Sequence, residues 1–245
     1  MAKTRRMIEA NVRLVDLVVE ITDARIPQSS RNPELPKWIG QKKRLIVLNK
    51  CDAADPKITA RWIVWYQNQG IPAIAVDAKS GKGMEKFLPT VREVLSEEIA
   101  RRDLRGMAGR PLRMMVVGIP NVGKSSFINM LSGRAGTITG DRPGVTKGKQ
   151  WIRLNNGIEL LDTPGILWPK FDSEETGLRL AFAGSIKDEI MDVEELAVKL
   201  LEFLNTAYSA LLKARYRLEE TDSLSGFELL ELIGRKRGFI VSGGE

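Results

Sequence analysis

The spacing of apolar and polar positions divides the chain into two zones. Up to about residue 162, short apolar and β-branched runs alternate with stretches of helical periodicity. The runs at 15–21, 44–48, 71–76 and 112–117 predict buried parallel strands. Residues 150–154 and 158–161 predict a hairpin around Asn155-Asn156-Gly157. Helical spacing covers 3–12, 56–69 and 83–105, the last with Phe87, Val91, Val94, Leu95 and Ile99 as its apolar stripe. Gly106, Gly109 and Pro111 break that pattern into a basic linker. Past Pro169 no further β-branched strand run appears until the last few residues, and helical spacing covers 174–183, 193–204 and 227–233. The fold expected is an α/β domain over 1–170 followed by a small all-helical domain over 171–245.

Composition narrows the function classes. The 245 residues are 43% hydrophobic, sufficient for one large core and a smaller partner. A net charge of +7 points to a polyanionic partner, nucleic acid being the favoured one. The single cysteine, Cys51, forms no internal disulfide, which fits a reducing compartment. No apolar run approaches the roughly 20 residues of a membrane span, so a cytoplasmic protein with no membrane partner is expected. The absence of histidine rules out His-based catalysis within this chain.

The chemistry concentrates where predicted strands end. Gly118-Ile119-Pro120-Asn121-Val122-Gly123-Lys124-Ser125 fits Gly-x-x-x-x-Gly-Lys-Ser/Thr between a strand and a helix opening at Ser126. Such a loop turns backbone N–H groups and a helix N-terminus toward phosphates. Lys124 is expected to reach the β- and γ-phosphates, and the Ser125 hydroxyl to ligate Mg²⁺. Asn49-Lys50-Cys51-Asp52 follows the second strand and fits a guanine-selecting motif. The Asp52 carboxylate can accept from N1–H and the 2-amino group of guanine, and adenine lacks both donors. Asn49 can brace the loop and the Lys50 stem can cover the ring. Asp77-Ala78-Lys79 after the third strand is similar to a Ser-Ala-Lys loop that closes over guanine, with Asp77 at the usual serine. Asp23-Ala24-Arg25-Ile26-Pro27 lies at a strand end, where α/β folds make ligand contacts. The stretch 134–149 is long, aperiodic and rich in Gly, Thr and Arg, as a first switch would be. Within it Thr146 is the candidate for binding Mg²⁺ and sensing the γ-phosphate. Asp162-Thr163-Pro164-Gly165 supplies the second switch, with Asp162 toward Mg²⁺ and the Gly165 N–H toward the γ-phosphate. Ile166 stands where many such enzymes carry a water-orienting glutamine.

These motifs are complete but circularly permuted, with the guanine motifs ahead of the phosphate loop. The stretches Asp-Ala-Arg-Ile-Pro-Gln-Ser-Ser-Arg-Asn-Pro, Gly-Ile-Pro-Asn-Val-Gly-Lys-Ser, Gly-Asp-Arg-Pro-Gly-Val-Thr and Asp-Thr-Pro-Gly-Ile-Leu-Trp-Pro-Lys resemble the bacterial ribosome-biogenesis GTPase A family. That resemblance covers nearly the whole chain. It implies a P-loop GTPase using GTP/GDP, Mg²⁺ and K⁺, assisting late assembly of the large ribosomal subunit. It also implies stimulation by the pre-ribosomal particle and a helical domain that binds its rRNA. Asn121, by similarity to Pro-Asn-x-Gly-Lys-Ser loops, is the expected K⁺ holder, the alternative being that it stabilises the loop turn. Lys124, Asn121, Thr146 and Gly165 are the expected catalytic set. Lys213, Arg215, Arg217, Arg235, Lys236 and Arg237 are the expected RNA contacts, and the chain is expected to be monomeric off the ribosome. Family members usually carry an aromatic-Pro-Gly-His segment ahead of Met1-Ala2-Lys3 and a further helical stretch beyond Ser242-Gly243-Gly244, so truncation at both ends or a variant form is expected. The alternative is a guanine-nucleotide-gated RNA-binding factor that has lost hydrolysis.

Overall fold

A computed structural model describes residues 2–133, 150–154, 157–163, 173–186 and 192–239. The described residues form two compact units, 1–185 and 186–245.

The first unit is built on a six-stranded sheet. Its strands are β1 (Leu17–Asp23), β2 (Lys43–Asn49), β3 (Ala73–Ala75), β4 (Leu112–Val117), β5 (Gln150–Leu154) and β6 (Ile158–Asp162), in the order β3-β2-β1-β4-β6-β5. All neighbours run parallel except β5, which pairs antiparallel with β6 as the expected hairpin. β1 is buried at every position because it lies inside the sheet with helices on both faces. On one face α1 (Ala2–Val12) and α2 (Leu35–Ile39) pack Ile8, Val12, Leu35 and Trp38 onto Val18, Met115 and Leu161. On that same face α3 (Pro56–Asn68) sets Tyr66 against Ile46, Leu48 and Ala73. On the other face Lys43 of β2 donates to the Val94 carbonyl at the end of α4 (Phe87–Val94), at 2.8 Å. Phe87 meets Phe127 of α6 (Lys124–Leu131) edge to face, 5.1 Å between ring centres.

Parallel strands carry all their C-terminal ends to one edge of the sheet. The segments after β1, β2, β3, β4 and β6 therefore gather there, whatever their order in the chain. This is why permuted motifs can still build one site.

Two helices differ from their expected spans. The 83–105 segment is a single turn of 3₁₀ helix, then α4, then α5 (Ser96–Leu104), divided at Leu95, whose ψ of 9° leaves the helical range. Leu95 is buried, so packing holds the break. The 174–183 expectation matches α7 (Glu174–Phe182), which belongs to the first unit. The division at 185/186 therefore lies beyond the expected 170/171, which falls outside the described residues.

The second unit pairs α8 (Val193–Tyr216), kinked at Tyr208, with α9 (Gly226–Lys236). Leu201, Leu212, Leu218, Leu229 and Ile233 form its core. A side chain at Gly226 would lie 2.6 Å from the Val198 carbonyl, so glycine permits this close approach of the two helices. Ser225 and Glu228 form a capping box at the start of α9.

Candidate nucleotide site

Asn49 closes β2 and is almost wholly buried. Its Nδ2 donates to the Val122 carbonyl of the phosphate loop at 2.7 Å, and its Oδ1 accepts from the Ala78 N–H at 3.0 Å. One side chain thus joins three of the predicted motifs. The approach is so close that a side chain on Gly123 would lie 2.3 Å from Asn49 Nδ2, and Gly123 sits at φ +93°, where glycine is favoured.

Lys50 adopts the left-handed region, φ 61° and ψ 35°, and its Nζ donates to the Asn121 carbonyl at 2.7 Å. The chain then makes one 3₁₀ turn, Cys51–Ala53, which presents an exposed Asp52. Asp55 caps α3 immediately afterwards, accepting from the Lys57 and Ile58 N–H groups.

Asp77 does the work of a loop brace. Its carboxylate accepts from the Lys79 N–H at 2.9 Å and the Ser80 N–H at 3.3 Å. A bond from the Ser80 hydroxyl, foremost, and these backbone bonds hold the acid below its ordinary value against the cost of burial. Asp77 is buried while Lys79 is exposed.

The phosphate loop leaves β4 at Gly118, where a side chain would lie 2.5 Å from the Ile21 carbonyl. Val122 is buried and Asn121 is left-handed at φ 61°. Lys124 Nζ donates back to the Ile119 carbonyl at 2.9 Å. Burial pulls this ammonium down to about 8, against the opposing charge of Asp162. Burial likewise raises the Asp162 carboxyl, against Lys124 and the Thr163 N–H. Asp162 ends β6 opposite Val116, and the Thr163 hydroxyl donates to the Val116 carbonyl at 2.7 Å. Ser125 and Ser126 open α6 with both residues exposed. Thr146, Gly165 and Ile166 lie outside the described residues.

The donor set fits the groups expected there. Two oppositely charged side chains, each made costly by burial, flank a loop of N–H groups at a helix N-terminus. An anionic phosphate would relieve Lys124, and a divalent cation would relieve Asp162. At Asn121, Nδ2 donates to the Gly184 carbonyl at 2.8 Å, which leaves Oδ1 as the acceptor for a cation.

Two residues central to this edge, Asp23 and Arg25, lie in the strand-end stretch expected to make ligand contacts but had no role assigned to them. Asp23 is fully buried, and its carboxylate is shared by Lys50 Nζ at 3.0 Å and the Arg25 guanidinium at 2.7 Å. The available signal was a pair of opposite charges, Asp23 and Arg25, at the carboxyl end of a predicted strand.

The six basic residues expected to contact RNA also have places in the second unit. Lys213 and Arg215 lie in the last turn of α8 and Arg217 caps it; Arg235 and Lys236 end α9, with Arg237 as its cap. Lys236 Nζ donates to the Arg217 carbonyl at 2.6 Å, so both clusters meet at one end of the helix pair. Lys213 also lies 3.4 Å from Asp222, and Arg235 3.6 Å from Glu231.

Residues 113–221 match the family model described as 50S ribosome-binding GTPase. A ribosome biogenesis GTPase A from Priestia megaterium is 48% identical over the whole of this chain and 85% of its own length. Its namesake from Thermotoga maritima is 33% identical over 99% of this chain and 80% of its own. Among solved structures, the GDP-bound structure of TM YlqF is 30% identical with a TM-score of 0.65, covering 98% of this chain and 87% of that one. Sheet order, permuted motifs and these relatives agree: the chain belongs to the ribosome biogenesis GTPase A family and is a GTPase.

Proposed function

We propose that this GTPase is a switch in the assembly of the large ribosomal subunit, slow alone and accelerated when a pre-ribosomal particle completes its site. The observation that carries the reading is the bridge made by Asn49, which holds the guanine loop, the phosphate loop and the Asp77–Lys79 loop in one unit. Asp52 is left exposed beside it to select the base. Gly118, Asn121, Val122, Gly123, Lys124, Ser125 and Ser126 would hold the phosphates. Ser125, Asp162 and Thr146 would hold Mg²⁺, with K⁺ on Asn121; when bound, these cations supply positive charge to the bond that breaks. Lys124 contributes its own charge there. Thr146 and the Gly165 N–H would sense the γ-phosphate.

The names of the family model and the relatives support a ribosomal partner. The joined basic end of the second unit supports contact with rRNA. Phosphate release with purified large-subunit precursors, in K⁺ and in Na⁺, tests both claims. The expected result is stimulation by the large-subunit particle and a faster rate in K⁺. Equal stimulation by small-subunit particles would refute the partner, and equal rates in the two salts would refute the cation. Replacing Lys213, Arg215, Arg217, Arg235, Lys236 and Arg237 by alanine should weaken RNA binding and flatten its salt dependence. Unchanged binding would remove that surface.

A further inference from the structure

Asp23-Ala24-Arg25 belongs to no step of the nucleotide chemistry above, yet its side chains are tied to each other and to Lys50. Arg25 grips Asp23 with two parallel bonds, Nε to Oδ1 at 2.9 Å and Nη2 to Oδ2 at 2.7 Å. Burial works against the Asp23 carboxylate, but the bonds from Arg25 and Lys50 more than offset it and hold the acid below its ordinary value. Asp52 adds a favourable field at Arg25. The loop carrying Arg25 is braced by hydrogen bonds and an ion pair. Ser30 Oγ accepts from the Asp23 N–H at 2.9 Å and donates to the Ile26 carbonyl at 2.8 Å. Tyr66 donates to the Pro27 carbonyl at 3.2 Å, and Arg31 is paired with the buried Glu20.

The same Arg25 Nη2 also donates to the Ala183 carbonyl at 3.1 Å, at the end of α7. The next carbonyl, Gly184, accepts from Asn121. That end is a Schellman turn: Gly184 is left-handed at φ 68°, the Ser185 N–H donates to Leu180, and the Gly184 N–H donates to Ala181. The turn meets its own N–H needs and leaves the carbonyls of 183 and 184 pointing outward at the negative end of a helix. Arg25 and Asn121 take one each.

We propose that Arg25 is a positioning residue that links the guanine pocket to the C-terminal turn of α7: Arg25 and Lys50 share Asp23, Lys50 and Asn121 share a bond, and Arg25 and Asn121 together hold the turn. Lys50 is the side chain expected to cover the base. Ordering it from the base side strengthens the whole ring of contacts, and ordering the turn strengthens Lys50 in return. Coupling of this kind is reciprocal. The inference rests on the guanine-nucleotide reading above, and it adds what that reading lacks, a route from the base to the last turn before the second unit.

Hydrogen exchange of the 180–186 amides, with and without GDP, tests it on the full chain. In the wild type GDP should slow exchange of the Gly184 and Ser185 amides by about fivefold or more, at the lower end of ordinary coupling factors. Arg25→Lys keeps a charge for Asp23 but cannot make the bidentate grip and reach Ala183 together. It should fold and bind GDP, yet lose that protection. Gly184→Val, strained at positive φ, should lower GDP affinity severalfold although it alters no side chain of the pocket. If GDP binds the wild type without protecting these amides, or protects them equally in Arg25→Lys, the coupling is wrong and the nucleotide reading stands. If GDP does not bind at all, both fall.

Discussion

At the guanine end, Asn49 commits both halves of its amide to the protein, and among the described residues Asp77 accepts from its own loop alone. At the phosphate end, Lys124 and Asp162 are each shifted against their charged forms by burial. The first region satisfies its buried polar groups internally and is set before any ligand arrives. The second stores charge that a ligand must relieve. A switch needs both, because a rigid end secures the base while a charged end can respond to the number of phosphates.

The largest effect expected from this contrast is on the base. Asp52→Asn should erase a guanine preference of order 10⁴ and favour xanthine nucleotides, whose 2-oxo group needs a donor. Competition binding with GDP, XDP and ADP measures this, and undiminished GDP preference would remove Asp52 from the site.

Next comes Lys124→Met. It should weaken GDP binding by about 100-fold, or about 3 kcal/mol, while the ligand-free protein melts no lower than wild type, since a buried cation has gone. A large loss of ligand-free stability would mean that the phosphate end is preorganised after all.

Asn49→Ala reverses that pattern. The Val122 carbonyl and Ala78 N–H lose their partner, so the ligand-free protein should lose about 2 kcal/mol by urea unfolding. Unchanged stability would show that the bridge contributes nothing before ligand arrives.

The smallest effect is a pH slope. Folded Lys124 titrates at about 8 against 10.5 for the free side chain, so between those values the unfolded chain holds more protons. Stability of the ligand-free protein should therefore rise with pH across that window. GDP, by restoring the cation, should flatten the slope, and Lys124→Met should abolish it. A slope that survives in Lys124→Met would assign it to another group. Asp162 acts with the opposite sign and elsewhere: stability falls as pH rises from 3.8 toward its raised folded value.

Among the described residues no helix is long and apolar enough to cross a membrane, in line with the apolar runs along the chain. The permuted GTPase architecture was legible in the sequence because each motif is a short string at a strand end. The strand ends were legible because buried parallel strands are nearly continuous apolar runs. Gly123, Asn49 and Asp52 could be proposed from local chemistry alone. What the residues could not announce depends on partners far away in the chain. Asp23 becomes part of the site only because β1 lies between β2 and β4, which brings Lys50 to its carboxylate. Arg25 reaches Ala183 across 158 positions, and the two basic clusters meet only because α9 folds back along α8. The break at Leu95 and the assignment of α7 to the first unit have the same origin. Propensity and spacing act over a few residues, so they specify elements and motifs; burial and hydrogen bonding between elements are satisfied only in the packed chain, and there they decided which of those motifs touch.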